Sequence, residues 1–386
     1  MVYLDNSSTT RQADEVTDLI YEISKNDFGN PSSLHNIGFN AEKLVENARK
    51  IFAGSIGADP SEITFNSGGT EGDNTVLVEA ARSRRHEGKR IVISSVEHPA
   101  VMESAKVLEH DGFEIVKVGV GKGGVLDMDE LRDAVNDDTI LVSVMTVNNE
   151  TGAVMPIEEV TKTAHAHGAL MHTDAVQAYG KMSLKGFVAG PDTDTVDYVT
   201  VSSHKIHGPK GVGALYQKKG KELPPFIVGG GQEKNRRSGT ENVTGIVGFG
   251  KACELADEMI DRSYENVKAA RDHLLAGIKE NIPDIIVNSP EDALPYVLNV
   301  SFLGTRGEVL LHTLEQDGIY VSTGSACSSN KKGVSHVLSS MGRNNKEIEA
   351  ALRFSFCRYN TVEEMDFVLD KLVQAVERFR RLGSFR

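Results

Sequence analysis

The sequence predicts an α/β protein with a mainly parallel central sheet, helices on both faces of that sheet, and a smaller α+β domain. From about residue 60 to 216, short apolar segments alternate with amphipathic, helix-like segments. This alternation is typical of buried parallel strands joined by crossover helices. After residue 243 a long helical pattern is followed by fewer strands and more helices, which indicates a second unit.

Each element follows from its local pattern of apolar residues and breakers. The predicted strands of the first unit are "EITF" (62–65), "RIVISS" (90–95), "FEIVKVGV", "TILVSVMTV", "ALMHTDA" and "DYVTVSS". The helices between them are "GTEGDNTVLVEAARSRRHEG", "PAVMESAKVLEHDG", "DMDELRDAV" and "PIEEVTKTAHAHG". The second unit has a helical pattern at 244–281 with a break near Asp261, then "YVLNVSFL", "GEVLLHTLEQDG", "IYVST", "ALRFSF" and a final helix. We expect a large domain at 15–255 and a small domain formed by 1–14 and 256–386.

Composition excludes several classes of protein. The chain has 386 residues and a formal net charge of −13, which argues against a general nucleic-acid binder. Its three cysteines, Cys253, Cys327 and Cys357, are far apart and form no C-x-x-C, so neither a disulfide framework nor a self-contained metal site is expected. No secretory signal and no apolar run of membrane-spanning length is present. We expect a cytoplasmic protein in a reducing compartment.

The first polar cluster at a strand end is "TFNSGGTEGDN" (64–74). Gly68, Gly69 and Thr70 lie between a strand and a helix, where backbone N–H groups and the helix dipole form an anion site. The alternative is a tight turn in which Thr70 caps the helix. The P-loop spacing G-x-x-x-x-G-K is absent, which disfavours a nucleoside triphosphatase.

Two further strands end in residues that carry chemistry. Asp174 ends "ALMHTDA" and is either a helix cap or an active-site carboxylate, while Lys205 follows "DYVTVSS". Neighbouring parallel strands would place both side chains at one sheet edge, where ligands of such sheets bind. A lysine that forms a Schiff base, a carboxylate that pairs with a pyridinium nitrogen and a phosphate turn are the parts that pyridoxal phosphate requires. His165 and His167 face different directions on a helix end, so a metal site is the less favoured alternative.

The stretch "STGSACSSNKKG" (322–333) places Cys327 among small and polar residues between two glycines. Structural cysteines are usually buried among apolar neighbours, whereas this one lies in a predicted loop. From spacing alone, Cys327 is either an incidental thiol on a surface turn or a reactive thiol on a loop hinged at Gly324 and Gly333.

The motifs together resemble those of a known family. They are "YLDNSSTT", "FGNPSSLH", "SGGTEGDN", "VEHPAV", "VNNETG", "HTDAVQ", "SSHKIHGPKG", "GGGQEKNRRSGTEN", "GSACSS" and "LRFSFCRYNT", in order over nearly the whole chain. In these motifs the chain resembles the cysteine desulfurases (NifS/IscS-like). That family has the aminotransferase-like fold type I of pyridoxal-phosphate enzymes, so the resemblance implies that the large domain holds this cofactor.

The resemblance implies a role for each matched residue. Lys205 would bind pyridoxal 5'-phosphate covalently, Asp174 would pair with its pyridinium nitrogen, and His98 would stack on the ring and act in catalysis. Gln177 would hydrogen-bond the ring hydroxyl. The other implied cofactor-binding residues are Gly69, Thr70, Asn149, Ser202, His204 and Thr240, the last from the second subunit of a homodimer. Asn149 and Arg353 would bind the substrate, with Arg353 on its carboxylate.

Three of these residues have a simpler structural interpretation when each is considered without the other motifs. Arg353 could form a surface ion pair, His98 could lie in the cap of a helix, and Asn149 could be a turn residue.

The resemblance also implies the reaction. L-cysteine would be converted to L-alanine, and its sulfur would form a persulfide on Cys327, with His98 as candidate base for the thiol. The sulfur would pass to an iron–sulfur scaffold protein or to tRNA-thiolation proteins. The free chain would bind no metal, although Cys327 could ligate a shared cluster in a scaffold complex. A selenocysteine lyase, a small-amino-acid aminotransferase and a non-catalytic adaptor of the same fold are the alternatives.

Overall fold

The structure is a computed structural model, and it describes residues 1–189, 194–323 and 334–383. In chain order, the strands are β1 (Val2–Tyr3), β2 (Ile63–Asn66), β3 (Arg90–Ser94), β4 (Glu114–Val118), β5 (Thr139–Ser143), β6 (Leu170–Asp174), β7 (Tyr198–Ser202), β8 (Gly213–Gln217), β9 (Ile285–Val287), β10 (Val297–Phe302), β11 (Ile319–Tyr320) and β12 (Ala351–Ser355).

The helices cover both faces of the main sheet and much of the rest of the chain. They are α1 (Asp14–Asn26), α2 (Asn36–Ile56), α3 (Gly69–Arg84), α4 (Pro99–His110), α5 (Met128–Ala134), α6 (Ile157–Ala166), α7 (Lys185–Val188), α8 (Gln232–Asn235), α9 (Val243–Asn281), α10 (Gly307–Gln316), α11 (His336–Ser340), α12 (Asn345–Glu349) and α13 (Val362–Arg381). Short 3-10 helices occupy Pro60–Glu62 and Ser203–Lys205. Within the described ranges, none of the helices has both the length and the apolarity needed to cross a bilayer.

The largest sheet has seven strands in the order β2-β8-β7-β6-β5-β3-β4. The five strands from β7 to β4 are parallel, and β8 is antiparallel to both of its neighbours. The mainly parallel α/β prediction is therefore confirmed. The antiparallel strand β8 is absent from the sequence-based prediction because "GALYQ" is short and follows a glycine-rich turn.

Strand residues alternate between two apolar clusters, one on each face of the main sheet. Ile91 and Ile93 of β3 pack with Val76 and Leu77 of α3, whereas Val92 between them belongs to the larger cluster on the other face. Side chains with a period of two along a strand produce this partition, and near-continuous apolar strands are the result of burial on both faces.

Two smaller sheets lie outside the main one. Strands β12, β10 and β9 form an antiparallel sheet, and β1 pairs with β11 in parallel. The N-terminal strand therefore joins elements more than 300 residues away in sequence, which a local pattern does not reveal. The division at 15–255 against 1–14 and 256–386 stays a prediction, and its boundary at 255/256 falls inside α9.

The predicted break near Asp261 is wrong, because α9 is a continuous helix of 39 residues. Its sequence has neither glycine nor proline between Gly250 and Gly277, so nothing interrupts the hydrogen-bond ladder. Ala256, Ser263 and Val267 continue the buried face across the predicted break. The charged residues there lie on the outer face of a long amphipathic helix.

Candidate active site

The carboxyl edge of the main sheet brings Asp174 and Lys205 to adjacent strands. Asp174 is the last residue of β6, and Lys205 ends the 3-10 helix that directly follows β7. β6 and β7 are hydrogen-bonded in parallel, with Asp174 opposite Thr200. This arrangement is the one that the strand-end argument predicts, because parallel neighbours end at the same edge.

A pocket of about 400 Å³ opens at this edge. Its wall contains all four residues of this chain that were predicted to hold a phosphate group: Gly69, Thr70, Ser202 and His204. Lys210 adds a cationic side chain to the same wall. The structure therefore brings together predicted residues from two separate segments at one concave, polar surface.

The turn between β2 and α3 presents backbone N–H groups to this pocket. Gly68 is the cap residue of α3 and has a φ of 143°, which is accessible to glycine but rarely to other residues. A Cβ on Gly69 would lie only 2.8 Å from a methyl group of Val176, so the second glycine allows close packing. Thr70 lies inside the first turn of α3, and the alternative in which Thr70 caps the helix is wrong. The first N–H groups of a 16-residue helix thus point toward an anion site.

A carboxylate beside the pocket is neutralised by a neighbouring loop. Burial works against the ionised form of Glu71, but hydrogen bonds from Arg237 and Ser67 outweigh it and lower its pKa. The Arg237 Nε–Glu71 Oε1 distance is 2.9 Å. Because this pairing cancels the charge of Glu71, the pocket keeps its preference for an anion. Neither Glu71 nor Arg237 was singled out from the sequence.

Asp174 belongs to a buried group of ionisable side chains. Its Oδ1 accepts a hydrogen bond of 2.9 Å from Val176 N, so it also caps the turn that follows β6. Burial raises the pKa of Asp174, while His98 and Lys205 act in the opposite direction. Asp73 of α3 is buried behind it, and one ligand atom each of Asp73, His98 and Asp174 lies within 4.8 Å of the others. By spacing alone that trio could also surround a cation; the sequence offers no signal for Asp73.

His98 caps helix α4 and lies in this group. Its Nδ1 accepts a hydrogen bond of 3.2 Å from Ala100 N, so in the neutral ring the proton resides on Nε2. Burial lowers its pKa, with Asp174 opposing and Lys205 reinforcing that effect. His98 is therefore a neutral ring with an N–H donor at neutral pH. The helix-cap alternative is therefore correct, and the cap leaves Nε2 available for the predicted role of His98 in the site.

Lys205 is oriented by the N-terminal segment of the chain. Its Nζ donates to the backbone carbonyls of Ser7 and Ser8 at 2.6 and 2.7 Å. The next residue toward the N-terminus, His204, has its Nδ1 3.1 Å from Thr9 Oγ1. Burial lowers the pKa of His204 to about 4, with the lysine charges adding to it, so its ring is neutral.

Gln177 lies one turn beyond Asp174 and contacts the same segment. Its Nε2 donates to Ser7 O at 2.9 Å, and its Oε1 accepts from Lys181 Nζ at 2.8 Å. One backbone carbonyl, that of Ser7, thus connects Gln177 and Lys205.

Arg353 of β12 is buried, so the alternative of a surface ion pair is wrong. Its side chain is 1% exposed, and its Nη2 donates to Asp5 Oδ1 at 2.8 Å and to Ser8 Oγ at 2.7 Å. Its Nη1 donates to the backbone carbonyl of Asn149 at 3.1 Å, which places the two predicted substrate-binding residues side by side. Asn149 lies in a turn, which agrees with its alternative interpretation as a turn residue.

Cys327 lies outside the described residues, as do all residues from 324 to 333. The residues that flank this range contact the site from both sides. Ser322 exchanges two backbone hydrogen bonds with Arg353. Ser335 Oγ donates to Glu150 Oε2 at 2.6 Å, and His336 Nε2 donates to the carbonyl of Glu97 at 2.9 Å.

The remaining predicted residues lie elsewhere. Thr240 is exposed and is not among the residues that line the pocket of Gly69 and Ser202 in its own chain. Cys253 and Cys357 are buried thiols, and burial raises the pKa of both.

Comparison with known proteins assigns the family. The model of the family described as aminotransferase class-V matches residues 2–368. The chain belongs to the class-V aminotransferase family. It is 43% identical over its full length to a cysteine desulfurase from Trichormus azollae, with 95% of that protein covered. It is 41% identical to a cysteine desulfurase IscS from Dictyoglomus turgidum, over 100% of this chain and 97% of that one.

Solved structures of this family share the fold. A NifS-like protein superposes with a TM-score of 0.90 at 38% identity, covering 98% of this chain and 99% of its own. The structure of SspA in complex with cysteine superposes with a TM-score of 0.82 at 31% identity, over 94% of this chain and 100% of its own.

Several residues that organise the site in this family member were not found from the sequence. They are Asp5, Ser7, Ser8, Asp73 and Lys181. For the first three, the signal in the sequence was the run of small polar residues after β1, and such a run does not indicate which residues it contacts.

The pH dependence of stability tests the burial of Glu97, the neighbour of His98. Burial raises its pKa from 4.5 to about 8, against hydrogen bonds to Oε1 from Ser94 Oγ and Met145 N. A carboxyl group whose pKa is raised in the folded state makes its full contribution to the stability of the fold below its unfolded pKa. This contribution is lost as the pH rises through the folded pKa. We expect Glu97→Gln, which is neutral at every pH, to gain on the order of 3 kcal/mol relative to wild type between about pH 5 and about pH 8.

The measurement is urea unfolding of both apoproteins across that pH range. Glu103→Gln on the exposed surface of α4 is the matched control, and we expect its difference from wild type to be independent of pH. A constant difference for Glu97→Gln would show that Glu97 is ionised in the folded protein.

Proposed function

We propose that the chain is a pyridoxal-phosphate-dependent cysteine desulfurase, which converts L-cysteine to L-alanine and leaves the sulfur on Cys327. The relatives named cysteine desulfurase align over the full length of the chain. The observation that carries the proposal is the pocket itself. Gly69, Thr70, Ser202 and His204 line it, Asp174 ends β6, and Lys205 ends the 3-10 helix that follows the adjacent strand β7.

The donors and acceptors at this edge fit the cofactor. The N-terminus of α3, with Lys210 and two hydroxyl groups, suits a phosphate dianion. The Asp174 carboxylate suits a protonated ring nitrogen, and the Lys205 amine suits an aldehyde carbon. When bound, pyridoxal phosphate withdraws electrons from the α-carbon of the amino acid attached to it.

Arg353 and Asn149 serve the substrate. The Arg353 guanidinium suits an α-carboxylate, and Asp5 and Ser8 orient it by accepting hydrogen bonds from its Nη2. An arginine that is already oriented loses less side-chain entropy when the substrate binds. The Asn149 backbone carbonyl fixes the second nitrogen of the fork.

His98 and Lys205 move protons. Lys205 would take the α-proton, because a lysine amine that is not bound to the cofactor can act as a base. His98 keeps its Nδ1 on the Ala100 amide, so Nε2 can donate a proton and accept one back. As base for the Cys327 thiol, His98 would first have to give up its Nε2 proton, and that role stays a prediction.

Cys327 takes the sulfur. Its thiolate attacks the sulfur of the bound cysteine, the Cβ–S bond breaks, and an S–S bond forms as the persulfide. The carbon skeleton takes up a proton and leaves as alanine. Two observations support this role: Ser322 is hydrogen-bonded to Arg353, and His336 is hydrogen-bonded to the residue before His98. Both flanks of the cysteine stretch thus contact the site.

We further propose a homodimer in which Thr240 reaches the phosphate of the partner. Thr240 is exposed and does not line the pocket of its own chain. Large apolar side chains are exposed on the segment after α1 and on the loop before α8, namely Phe28 (71%), Leu34 (105%) and Val228 (77%). Exposed apolar groups of this size in two segments are typical of a surface that a partner covers.

The sulfur leaves the enzyme for a protein acceptor in the cytoplasm. We propose an iron–sulfur scaffold or a tRNA-thiolation protein as that acceptor, as the resemblance of the motifs to the NifS/IscS-like family implies.

Two substitutions separate the roles of Lys205 and Cys327. We expect Cys327→Ala to keep the yellow colour of bound pyridoxal phosphate and to lose at least about 99% of alanine formation from L-cysteine, because the sulfur has no acceptor. We expect Lys205→Ala to lose covalent attachment, measured as cofactor fixed to the protein by borohydride. Full alanine formation by Cys327→Ala would refute the persulfide mechanism. Selenocysteine as a parallel substrate distinguishes a selenocysteine lyase.

The dimer is tested by charge at the exposed apolar surface. We expect Leu34→Asp to sediment as a monomer at concentrations where wild type is a dimer, because a buried unpaired carboxylate disfavours association. The same variant should bind pyridoxal phosphate more weakly, since Thr240 of the partner is withdrawn. Val107→Asp on the exposed face of α4 is the control and should remain a dimer. A monomeric wild type would contradict the proposal.

A further inference from the structure

Lys181 is a buried lysine to which the proposed reaction assigns no role. It lies in the turns that follow β6, and only 6% of its surface is exposed. Lysine is rarely buried to this extent unless its amine has a partner, since the ammonium group is costly to dehydrate. Its partner here is Gln177, four residues earlier, at 2.8 Å.

Lys181 lies close to the proposed site, because it shares a cavity wall with Lys205. Its Nζ lies 5.6 Å from the centre of the Tyr296 ring. A cavity of about 30 Å³ is lined by Lys181, Lys205, Tyr296 and Cys357 among others. Burial lowers the pKa of Lys181 to about 7; the charges of Lys205 and Arg353 add to this effect and Cys357 opposes it.

The contact with Gln177 fixes which end of the amide faces which group. A protonated lysine amine donates hydrogen bonds and accepts none, so the atom that it contacts is the amide oxygen. On the other side, Nε2 donates to the carbonyl of Ser7 at 2.9 Å. The carboxamide is therefore held from both ends, and its nitrogen has a second N–H.

We infer that Lys181 is a positioning residue, which acts through Gln177 to direct an amide N–H toward the ring hydroxyl of pyridoxal phosphate. The inference rests on the proposed function and on the contact between Gln177 and that hydroxyl that the family resemblance implies. Lys181 holds the amide oxygen away from the cofactor, where its lone pairs would repel the oxygen of the ring. It also adds positive charge behind Lys205 in its protonated state.

A purely structural role predicts something different. If Lys181 only filled space between Gln177 and Tyr296, its replacement by methionine would change the unfolding of the apoprotein and leave the bound cofactor unaffected. The proposed role changes the electrostatics at the ring hydroxyl and at the Lys205 nitrogen. Loss of the N–H donor and loss of a nearby charge both favour the proton on that nitrogen.

The experiment is a pH titration of the visible absorption of the protein loaded with pyridoxal phosphate. We expect Lys181→Met to raise the midpoint by about one pH unit and to weaken cofactor binding to the apoprotein about tenfold. Lys181→Arg keeps a donor and a charge and can extend into the adjacent cavity, so it should restore the midpoint. Lys185→Met removes an exposed lysine one turn away and should match wild type.

A double-substitution cycle tests the path through Gln177. We expect Gln177→Leu to raise the midpoint by itself, and Lys181→Met to add less in that background than in wild type. An unshifted midpoint in Lys181→Met, or equal shifts in both backgrounds, would overturn the inference. If Lys181→Met does not fold, an unshifted midpoint in Gln177→Leu overturns it equally. A wild-type protein that binds no pyridoxal phosphate would refute the proposed function itself.

Discussion

The backbone carbonyls of Ser7 and Ser8 accept hydrogen bonds from the amine of Lys205, and the site depends on this contact. The same short segment holds Arg353 through Asp5 and Ser8, and it holds Gln177 through Ser7. It is anchored at both ends: β1 pairs with β11, and Thr10 N donates to the carbonyl of His204. Residues 5–10 therefore fix Lys205 relative to Arg353, the residues proposed to hold the cofactor and the substrate, although the two side chains come from different sheets.

Burial gives these groups their chemistry. Ionisable side chains at the sheet edge are removed from water, which raises the pKa of the carboxyl groups of Asp174 and Glu97 and lowers the pKa of the His98 ring. An unpaired charge that is buried there is unfavourable in free energy. A cationic ring nitrogen next to Asp174 and an anion at the N-terminus of α3 are therefore both favoured. These preorganised groups together suit a ring that has a cationic nitrogen and a phosphate group.

Much of the fold and part of the site could be predicted from the sequence, because both depend on local patterns. Apolar strands and helix breakers gave the parallel sheet, and the rule that ligands bind at strand ends indicated Asp174 and Lys205. The partners of Lys205 could not be predicted, since they are backbone carbonyls that any residue carries. The ion pair between Asp5 and Arg353 crosses 348 residues, and no periodicity encodes such a contact. Cys327 was recognised only by its motif, and its stretch lies outside the described residues.

The central claim is that sulfur moves from L-cysteine to Cys327 while alanine is released. The most direct measurement is a single turnover of wild-type enzyme with one equivalent of sulfur-labelled L-cysteine, followed by peptide mass analysis without reducing agent. The account predicts one labelled sulfur on the peptide that contains Cys327, in an amount equal to the alanine released. Alanine released together with free sulfide, with Cys327 unmodified and no label on the protein, would contradict it.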